Sequence, residues 1–536
     1  MNHLYYGDNL PILQDRIPDE SVDLIYLDPP FNSNRSYNVL FKSQSGTASQ
    51  AQLEAFDDTW HWSQQTEALF DEIVGVWGPP KVAEAVTAMR HLLGTNDVFA
   101  YLVMMTARLV ELRRVLKPTG SLYLHCDPTA GHYLKVMLDA LFGPEHFGGE
   151  IIWKRTSAHS DTKQGRVEYG HVHDLILYYS KSDEWTWNPI YTPYDASYVA
   201  GFYKYVEEGT GRRYRLSDMT GPGGAAKGNP RYEVMGVTRY WRYTEQNMQD
   251  LIAADRVVQT KPGNVPQEKR YLDEMPGVPL QDLWSDVPPI GPQARERLGY
   301  PTQKPLALLE RIIQVSSNEG DVVLDPFCGC GTTVDAAQKL RRGWIGIDVT
   351  YLAIDLIRKR LRHTFSDEIE QTYTVHGVPA DVEGARALFG ENPFDFERWV
   401  VSLIDAQPNE KQVGDKGIDG RVRFHADEGR IGQVLVSVKG GATVQPTMFR
   451  DLRGTVDRER AEMGILITMA KPGPGIRDEA AQSGSYESAL TGQSYPRLQV
   501  ITVADLMAGK RPNMPTAILP YLRAKPRDPD QLTLGG

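Results

Sequence analysis

Leu324-Asp-Pro-Phe-Cys-Gly-Cys-Gly-Thr-Thr333 decides how this chain is read. The apolar run Asp321-Val-Val-Leu324 leads into it and a helix-forming stretch starts near Thr332, so the segment reads as strand, glycine turn and helix start. Gly329 and Gly331 let the backbone turn tightly and approach a ligand that a Cβ would exclude. The helix starting near Thr332 aims its first amides at anionic groups. Beyond it, Trp344-Ile-Gly-Ile-Asp348 ends a second strand in a carboxylate. A Rossmann-type fold places there the acid that hydrogen-bonds ribose hydroxyls. The pattern predicts a nucleoside cofactor without saying which one. Cys328 and Cys330 have only Cys126 as company in the whole chain. Three cysteines complete neither a tetrahedral metal site here nor a disulfide framework, which predicts a reducing compartment.

Working outward, the amino-terminal stretch alternates strand-like runs with amphipathic segments, the mark of an α/β layer fold. Ser21-Val-Asp-Leu-Ile-Tyr-Leu27 predicts a buried parallel strand running into Asp28-Pro-Pro-Phe31. Val98 to Leu116 predicts a helix stopped by Lys117-Pro-Thr-Gly120, with Ser121–His125 as the next strand and further strands at Glu150–Trp153 and Asp174–Tyr179. The regularity fades from about residue 183 to 300, where tyrosines interleave with Arg212, Arg213, Arg215, Arg239 and Arg242. The expected organisation is a catalytic part over 1–183, a separate region over 184–287, the cofactor-binding part over 288–362 and a linker with a short helix inside it over 363–392. A smaller α/β unit over 393–507 and a flexible tail over 508–536 follow.

At 536 residues the chain exceeds what one core supports. A net charge of −11 excludes wholesale wrapping by a polyanion but leaves room for a local basic groove. The start lacks the basic and apolar regions of a signal peptide, and the greasiest segment, Val98–Val110, is interrupted by Arg108 and too short for a bilayer. The expectation is a cytoplasmic protein with no membrane partner.

Asp28-Pro-Pro-Phe31 has its own chemical logic. An exocyclic base amine is a poor nucleophile because its lone pair is delocalised into the ring. A carboxylate and a backbone carbonyl that both accept its hydrogens localise that pair and aim it. Consecutive prolines stiffen the carbonyl's direction, and the aromatic ring can stack on a base turned out of the duplex.

Together, Tyr6-Gly-Asp-Asn9, Asp28-Pro-Pro-Phe31, Thr302-Gln-Lys-Pro305 and Asp325-Pro-Phe-Cys-Gly-Cys-Gly331 resemble the N-4/N-6 amino-methylating DNA methyltransferases. The order of motifs, catalytic tetrapeptide first and donor turn late, resembles the permuted β class, which includes type III modification subunits. The resemblance covers roughly residues 1–361. It implies a Rossmann-like fold with S-adenosylmethionine as methyl donor. The methionine moiety would lie around Asp325, Phe327, Gly329 and Gly331, the ribose at Asp348 and the adenine near Asp8. Thr302, Gln303, Lys304 and Pro305 would cradle the methionine end. Asp28, Pro29, Pro30 and Phe31 would be catalytic, and an Asp at the first tetrapeptide position favours adenine N6 over cytosine N4. The region 184–287 would recognise the target in double-stranded DNA through contacts to phosphates and base edges. Relatives imply a homodimer and, since no phosphate-loop motif occurs here, a separate restriction or translocating subunit for any ATP-driven step.

The carboxy-terminal unit resembles the Mrr-type branch of restriction endonucleases. Glu397 on a helix, Asp419 in Gly417-Ile-Asp-Gly420, and Lys439 at the end of Gln433-Val-Leu-Val-Ser-Val-Lys-Gly440 match its acids and lysine. The resemblance implies Mg²⁺ at Asp419 with Glu397, and Lys439 beside the attacking water. Ser437 departs from the pattern, which wants a carboxylate or glutamine there. Three readings of the unit therefore stand side by side: an active nuclease fused to the methyltransferase, a DNA-binding or regulatory module on a nuclease-like scaffold, or an unrelated α/β unit with fortuitous spacing. For the whole chain, a partner-dependent DNA-binding subunit is a further alternative.

Overall fold

Val22–Leu27 is buried at every position, as its unbroken apolar reading requires, and forms the middle of a nine-stranded sheet in this computed structural model. The structure describes residues 2–30, 36–42, 48–57, 62–156, 169–291, 294, 296–298, 300, 302–408, 417–427 and 430–518. The strand order across the sheet is Leu283–Trp284, Phe147–Lys154, His173–Ser180, Leu116–Cys126, Val22–Leu27, Val322–Asp325, Gly343–Asp348, Asn2–Tyr6 and Tyr373–His376. All neighbours pair parallel except His173–Ser180, which runs against both of its partners.

Residue alternation sorts the two faces. Leu122 and Leu124 turn to a core built with the helices Asn9–Arg16, Asp97–Val115 and Pro128–Phe142. Tyr123 turns the other way, where its hydroxyl meets Ser316 Oγ at 2.7 Å on the helix Leu306–Ser316. Each such buried aliphatic side chain contributes roughly 2 kcal/mol. The two strands richest in motif, Val22–Leu27 and Val322–Asp325, are neighbours despite the chain length between them. That adjacency brings their carboxyl ends, and so Asp28 and Asp325, to one edge of the sheet.

The chain divides into two compact units, one of Met1–Asn188 with Asp282–Gly536 and one of Pro189–Gln281. The second holds a four-stranded sheet and the separate hairpin of Arg231–Val234 with Val237–Tyr240. It lies inside the stretch 184–287 that the sequence sets apart.

The expected linker 363–392 holds a helix, as its sequence predicts, and also a strand that its sequence does not. Tyr373–His376 is an edge strand of the main sheet, paired with Asn2–Tyr5, and Val382–Glu391 is a helix. Four residues, Tyr-Thr-Val-His, are too short for periodicity to reveal, and only pairing with a distant strand makes them a strand. Beyond it lies a five-stranded sheet in the order Gln407–Pro408, Gly420–Asp427, Arg430–Lys439, Met463–Thr468 and Leu498–Thr502, with helices Pro446–Glu459 and Pro474–Ala481 packed on it. Among the described residues no helix is long and apolar enough to cross a membrane.

Candidate active site

A cavity of about 280 Å³ opens at the carboxyl ends of four adjacent parallel strands, where open α/β sheets bind ligands. Gly7, Asp8 and Asn9 follow one strand, Asp28, Pro29 and Pro30 the second, and Asp325 to Cys330 the third. Asp348, Val349 and Thr350 follow the fourth.

The donor turn is built as its glycines predict. Gly329 (φ +49°) and Gly331 (φ +75°) sit in the left-handed region. A Cβ on Gly331 would lie 2.6 Å from Ile357 Cγ1. The Gly329 amide donates to Asp348 Oδ2 at 2.9 Å, tying the glycine turn to the strand-terminal acid. Asp348 Oδ1 accepts from the Thr350 amide (2.8 Å) and hydroxyl (2.7 Å). Burial pushes its carboxyl up to about 6. Asp325 accepts from Thr333 Oγ1 at 2.5 Å and the Phe327 amide at 3.0 Å, yet burial dominates and pushes it up to about 7. An acid held this way favours a cationic neighbour, since a positive charge beside it would restore the ionised form.

Asp28 forms an ion pair through Oδ2 with Lys304, both side chains nearly buried. Behind them runs a buried chain of polar groups. Tyr26, two residues before Asp28 on the same strand face, meets His125 Nδ1 at 2.9 Å, and His125 Nε2 meets Asp174 Oδ2 at 3.2 Å. Arg155 Nε lies 3.2 Å from the other Asp174 oxygen. A carboxylate only accepts, so Nε2 carries the hydrogen shared with Asp174. Burial would raise the Asp174 carboxyl, but His125, Lys304 and Arg155 outweigh it and hold it below its ordinary value.

Most of the residues that the sequence singles out line this cavity: Asp8, Asp28, Pro29, Pro30, Thr302, Gln303, Lys304, Asp325, Phe327, Gly329 and Asp348. Phe31 lies outside the described residues. Gly331 is the N-cap of the helix Thr332–Lys339, and Pro305 opens the helix Leu306–Ser316 instead of lining the cavity. Gln303 works mainly within its own loop, accepting from the Leu298 amide (2.8 Å) and donating to the Glu296 carbonyl (2.6 Å). Cys328 and Cys330 are buried free thiols.

Sequence reasoning missed Arg108, which donates through Nη2 to Asp8 Oδ1 (2.7 Å) and through Nε to Asn9 Oδ1 (2.5 Å). Asn9 in turn donates to the Pro326 carbonyl at 2.7 Å, stapling the first cavity segment to the donor turn. The signal was present: an arginine inside the apolar run Val98–Val110 must find a buried partner. It missed Tyr300 too, a buried cavity residue whose ring lies 3.4 Å from the position of a Gly329 Cβ.

The carboxy-terminal acids do not fit a metal. Asp419 Oδ2 accepts from the Val438 amide at 2.6 Å and the Ser437 hydroxyl at 3.3 Å, with Lys439 Nζ 3.9 Å away. Among the described residues no three acids, histidines or cysteines converge, Glu397 included. A serine in the carboxylate position leaves Asp419 bound to the neighbouring strand Arg430–Lys439, and among the described residues the acids expected to hold Mg²⁺ do not come together. Asp415, the other acid of that segment, lies outside the described residues.

A Rossmann-like sheet with a glycine donor turn, a ribose-type acid and an Asp-Pro-Pro segment at one edge defines an S-adenosylmethionine-dependent methyltransferase. Residues 22–359 match the family described as DNA methylase, in its N6 and N4 branch. The chain belongs to that family. It is 30% identical over 364 residues to the type II methyltransferase M.EcaI of Enterobacter cloacae, covering 67% of this chain and 69% of that protein. It is 29% identical to the Mod subunit of the type III restriction-modification enzyme StyLTI of Salmonella typhimurium, over 62% of this chain but 49% of the subunit. The DNA adenine methyltransferase YhdJ of Escherichia coli is 26% identical over 68% of this chain and 85% of its own length. Residues 395–507 match a family described as NACHT-associated inactive Restriction Endonuclease 1. The carboxy-terminal unit is thus restriction-endonuclease-like, and the narrower Mrr-type likeness gains no support.

Proposed function

We propose that this chain methylates adenine N6 in double-stranded DNA at a specific sequence, within a restriction-modification system. The observation that carries this reading is the meeting of Asp28 and Asp325 at one cavity edge, the base-side and donor-side acids on adjacent strands. The aspartate that begins Asp28-Pro-Pro-Phe31 and the likeness to an adenine methyltransferase support adenine over cytosine. The likeness to a Mod subunit supports a restriction subunit as partner.

S-adenosylmethionine, when bound, supplies a methyl group on a sulfonium that is already a good electrophile. The chain's own residues do the rest by position. Lys304 engages Asp28 Oδ2, which leaves Oδ1 to accept a hydrogen from the target amine. The Pro29 carbonyl accepts the second, and the lone pair is freed for attack. Phe31 stacks on the base turned out of the duplex. Asp325 and Asp348 line the donor side, Asp325 favouring positive charge and Asp348 accepting from ribose hydroxyls.

The test is incubation with isotope-labelled S-adenosylmethionine and sequence-diverse duplex DNA, followed by mass spectrometry of the nucleosides. N6-methyladenine is expected from the wild type and none from Asp28→Ala, whose cofactor affinity should stay close to normal. N4-methylcytosine would overturn the base assignment, and an active Asp28→Ala would overturn the site.

A further inference from the structure

Seven non-glycine residues adopt positive φ among the described residues: Glu20, Met235, Asp255, Arg341, Ser366, Asp405 and Arg460. Six are polar. Met235 is the exception, at φ +46° with Gly236 at +80°, and together they form the two-residue turn joining Arg231–Val234 to Val237–Tyr240. Both central residues at positive φ is the tight hairpin turn that asparagine, aspartate or glycine normally supplies. An unbranched apolar side chain there strains the backbone and gains nothing from burial, since Met235 is 48% exposed.

The rest of the hairpin is anchored. Trp241, fully buried, donates through Nε1 to the Tyr232 carbonyl at 2.9 Å, and Val234 packs with Met219, Trp241, Met248 and Val257. Gln259 Nε2 donates to the Met235 carbonyl at 3.1 Å and to the Asn264 carbonyl at 2.7 Å, holding the tip in its strained form. The register places Arg231, Glu233 and Thr238 on one exposed face of the ribbon, while Arg239, also exposed, lies on the other face across from Tyr232. Neither Arg231 nor Arg239 forms an ion pair among the described residues. Arg212, Arg256 and Arg270 on the neighbouring sheet are paired with Asp273, Glu274 and Glu268.

We propose that this hairpin is a base-reading ribbon for the major groove of duplex DNA, with Met235 as its apolar head. A two-stranded ribbon fits that groove. Arginine, glutamate and threonine are side chains that read guanine, cytosine and mixed edges, and an apolar group reads the thymine methyl. A single exposed methionine at the tip of a ribbon whose one face carries Arg231, Glu233 and Thr238 matches an edge where one methyl stands among polar atoms. An apolar protein interface would ask for a broader patch. The inference rests on the DNA-methylating function proposed above.

The test uses the full chain expressed in a bacterial host that lacks DNA methylation of its own, with methylated positions mapped by sequencing. Met235→Asn suits the turn better, so its melting temperature should equal or exceed that of the wild type, and its affinity for S-adenosylmethionine should be unchanged. Methylation at the wild-type site should nonetheless fall about tenfold, with spread to sites differing at one A·T pair. Arg231→Ala should relax the site at one different position. A wild-type motif and rate in both variants would overturn the assignment, as would a Met235→Asn protein of lowered melting temperature. A wild type that methylates no DNA would instead overturn the function on which it rests.

Discussion

Asp325 is where the chemistry of the donor should show in a binding curve. Its side chain is 3% exposed, and burial, reinforced by Asp28 and Asp348, pushes its carboxyl up to about 7 in spite of two hydrogen bonds. A sulfonium carries a fixed positive charge, so binding it beside this carboxyl favours the ionised form and releases a proton. With an acid near 7, about a tenth is ionised at about pH 6 and about nine-tenths at about pH 8. Affinity for S-adenosylmethionine should therefore rise about tenfold across that window and flatten above it. S-adenosylhomocysteine has the same adenosine and amino-acid groups around a neutral thioether, so its curve should lack this rise. Calorimetry of both ligands across pH reads the difference, and Asp325→Asn should flatten the first curve onto the second. The free protein carries the opposite sign. A folded-state pKa above the ordinary 3.8 gives stability that is full below about pH 4 and is lost as pH rises through about 7. The loss is on the order of 4 kcal/mol. The wild type should thus melt progressively lower than Asp325→Asn as pH climbs, with S-adenosylmethionine narrowing the gap. Parallel pH curves for the two ligands would refute the reasoning.

Two further outcomes follow from the same geometry. Lys304→Met removes the cation paired with Asp28 and should lower kcat about tenfold. Its dissociation constant for S-adenosylhomocysteine should hold within about threefold, and a change confined to cofactor binding would place Lys304 on the donor side. At the carboxy-terminal unit, Asp419→Ala deletes an acceptor for the Val438 amide and should cost about 1–2 kcal/mol in chemical denaturation while leaving DNA methylation unchanged. Duplex DNA should survive incubation of the wild type with Mg²⁺, and cleavage that disappears in Asp419→Ala would show a working nuclease.

The gathering of Asp28, Asp325 and Asp348 was legible in the sequence because each ends an apolar strand, and strand ends are where parallel sheets gather ligands. Asp325 and Asp348 could be placed by their spacing, and Asp28 by the prolines that follow it. The layer behind them was not legible. Tyr26, His125 and Asp174 come from three strands, and only the sheet order makes them one hydrogen-bonded chain. The Tyr373–His376 strand escaped for the same reason, since its pairing with Asn2–Tyr5 supplies what four residues cannot signal alone. Gln303 shows the converse: a motif position visible in sequence can spend its amide on loop closure, because nearby backbone groups compete for it.

Ser437 was readable as a departure, and the fold explains how the domain stands without the missing acid. Tyr6 and Tyr351 flank two cavity segments, Gly7–Asn9 and Asp348–Thr350, and their rings meet edge to face at 5.9 Å. Both pack into the carboxy-terminal core with Phe396 and Trp399, and the Tyr6 hydroxyl bonds to Asp395. Lys359, on the helix that Tyr351 begins, reaches Asp405 at 2.7 Å. The nuclease-like unit thus packs against two tyrosines that adjoin the cavity's lining segments. That packing depends on buried area and hydrogen bonds, neither of which requires Asp419 to hold a metal. A serine at position 437 therefore offers a metal no carboxylate, yet it leaves the packing of Tyr6 and Tyr351 against this unit intact.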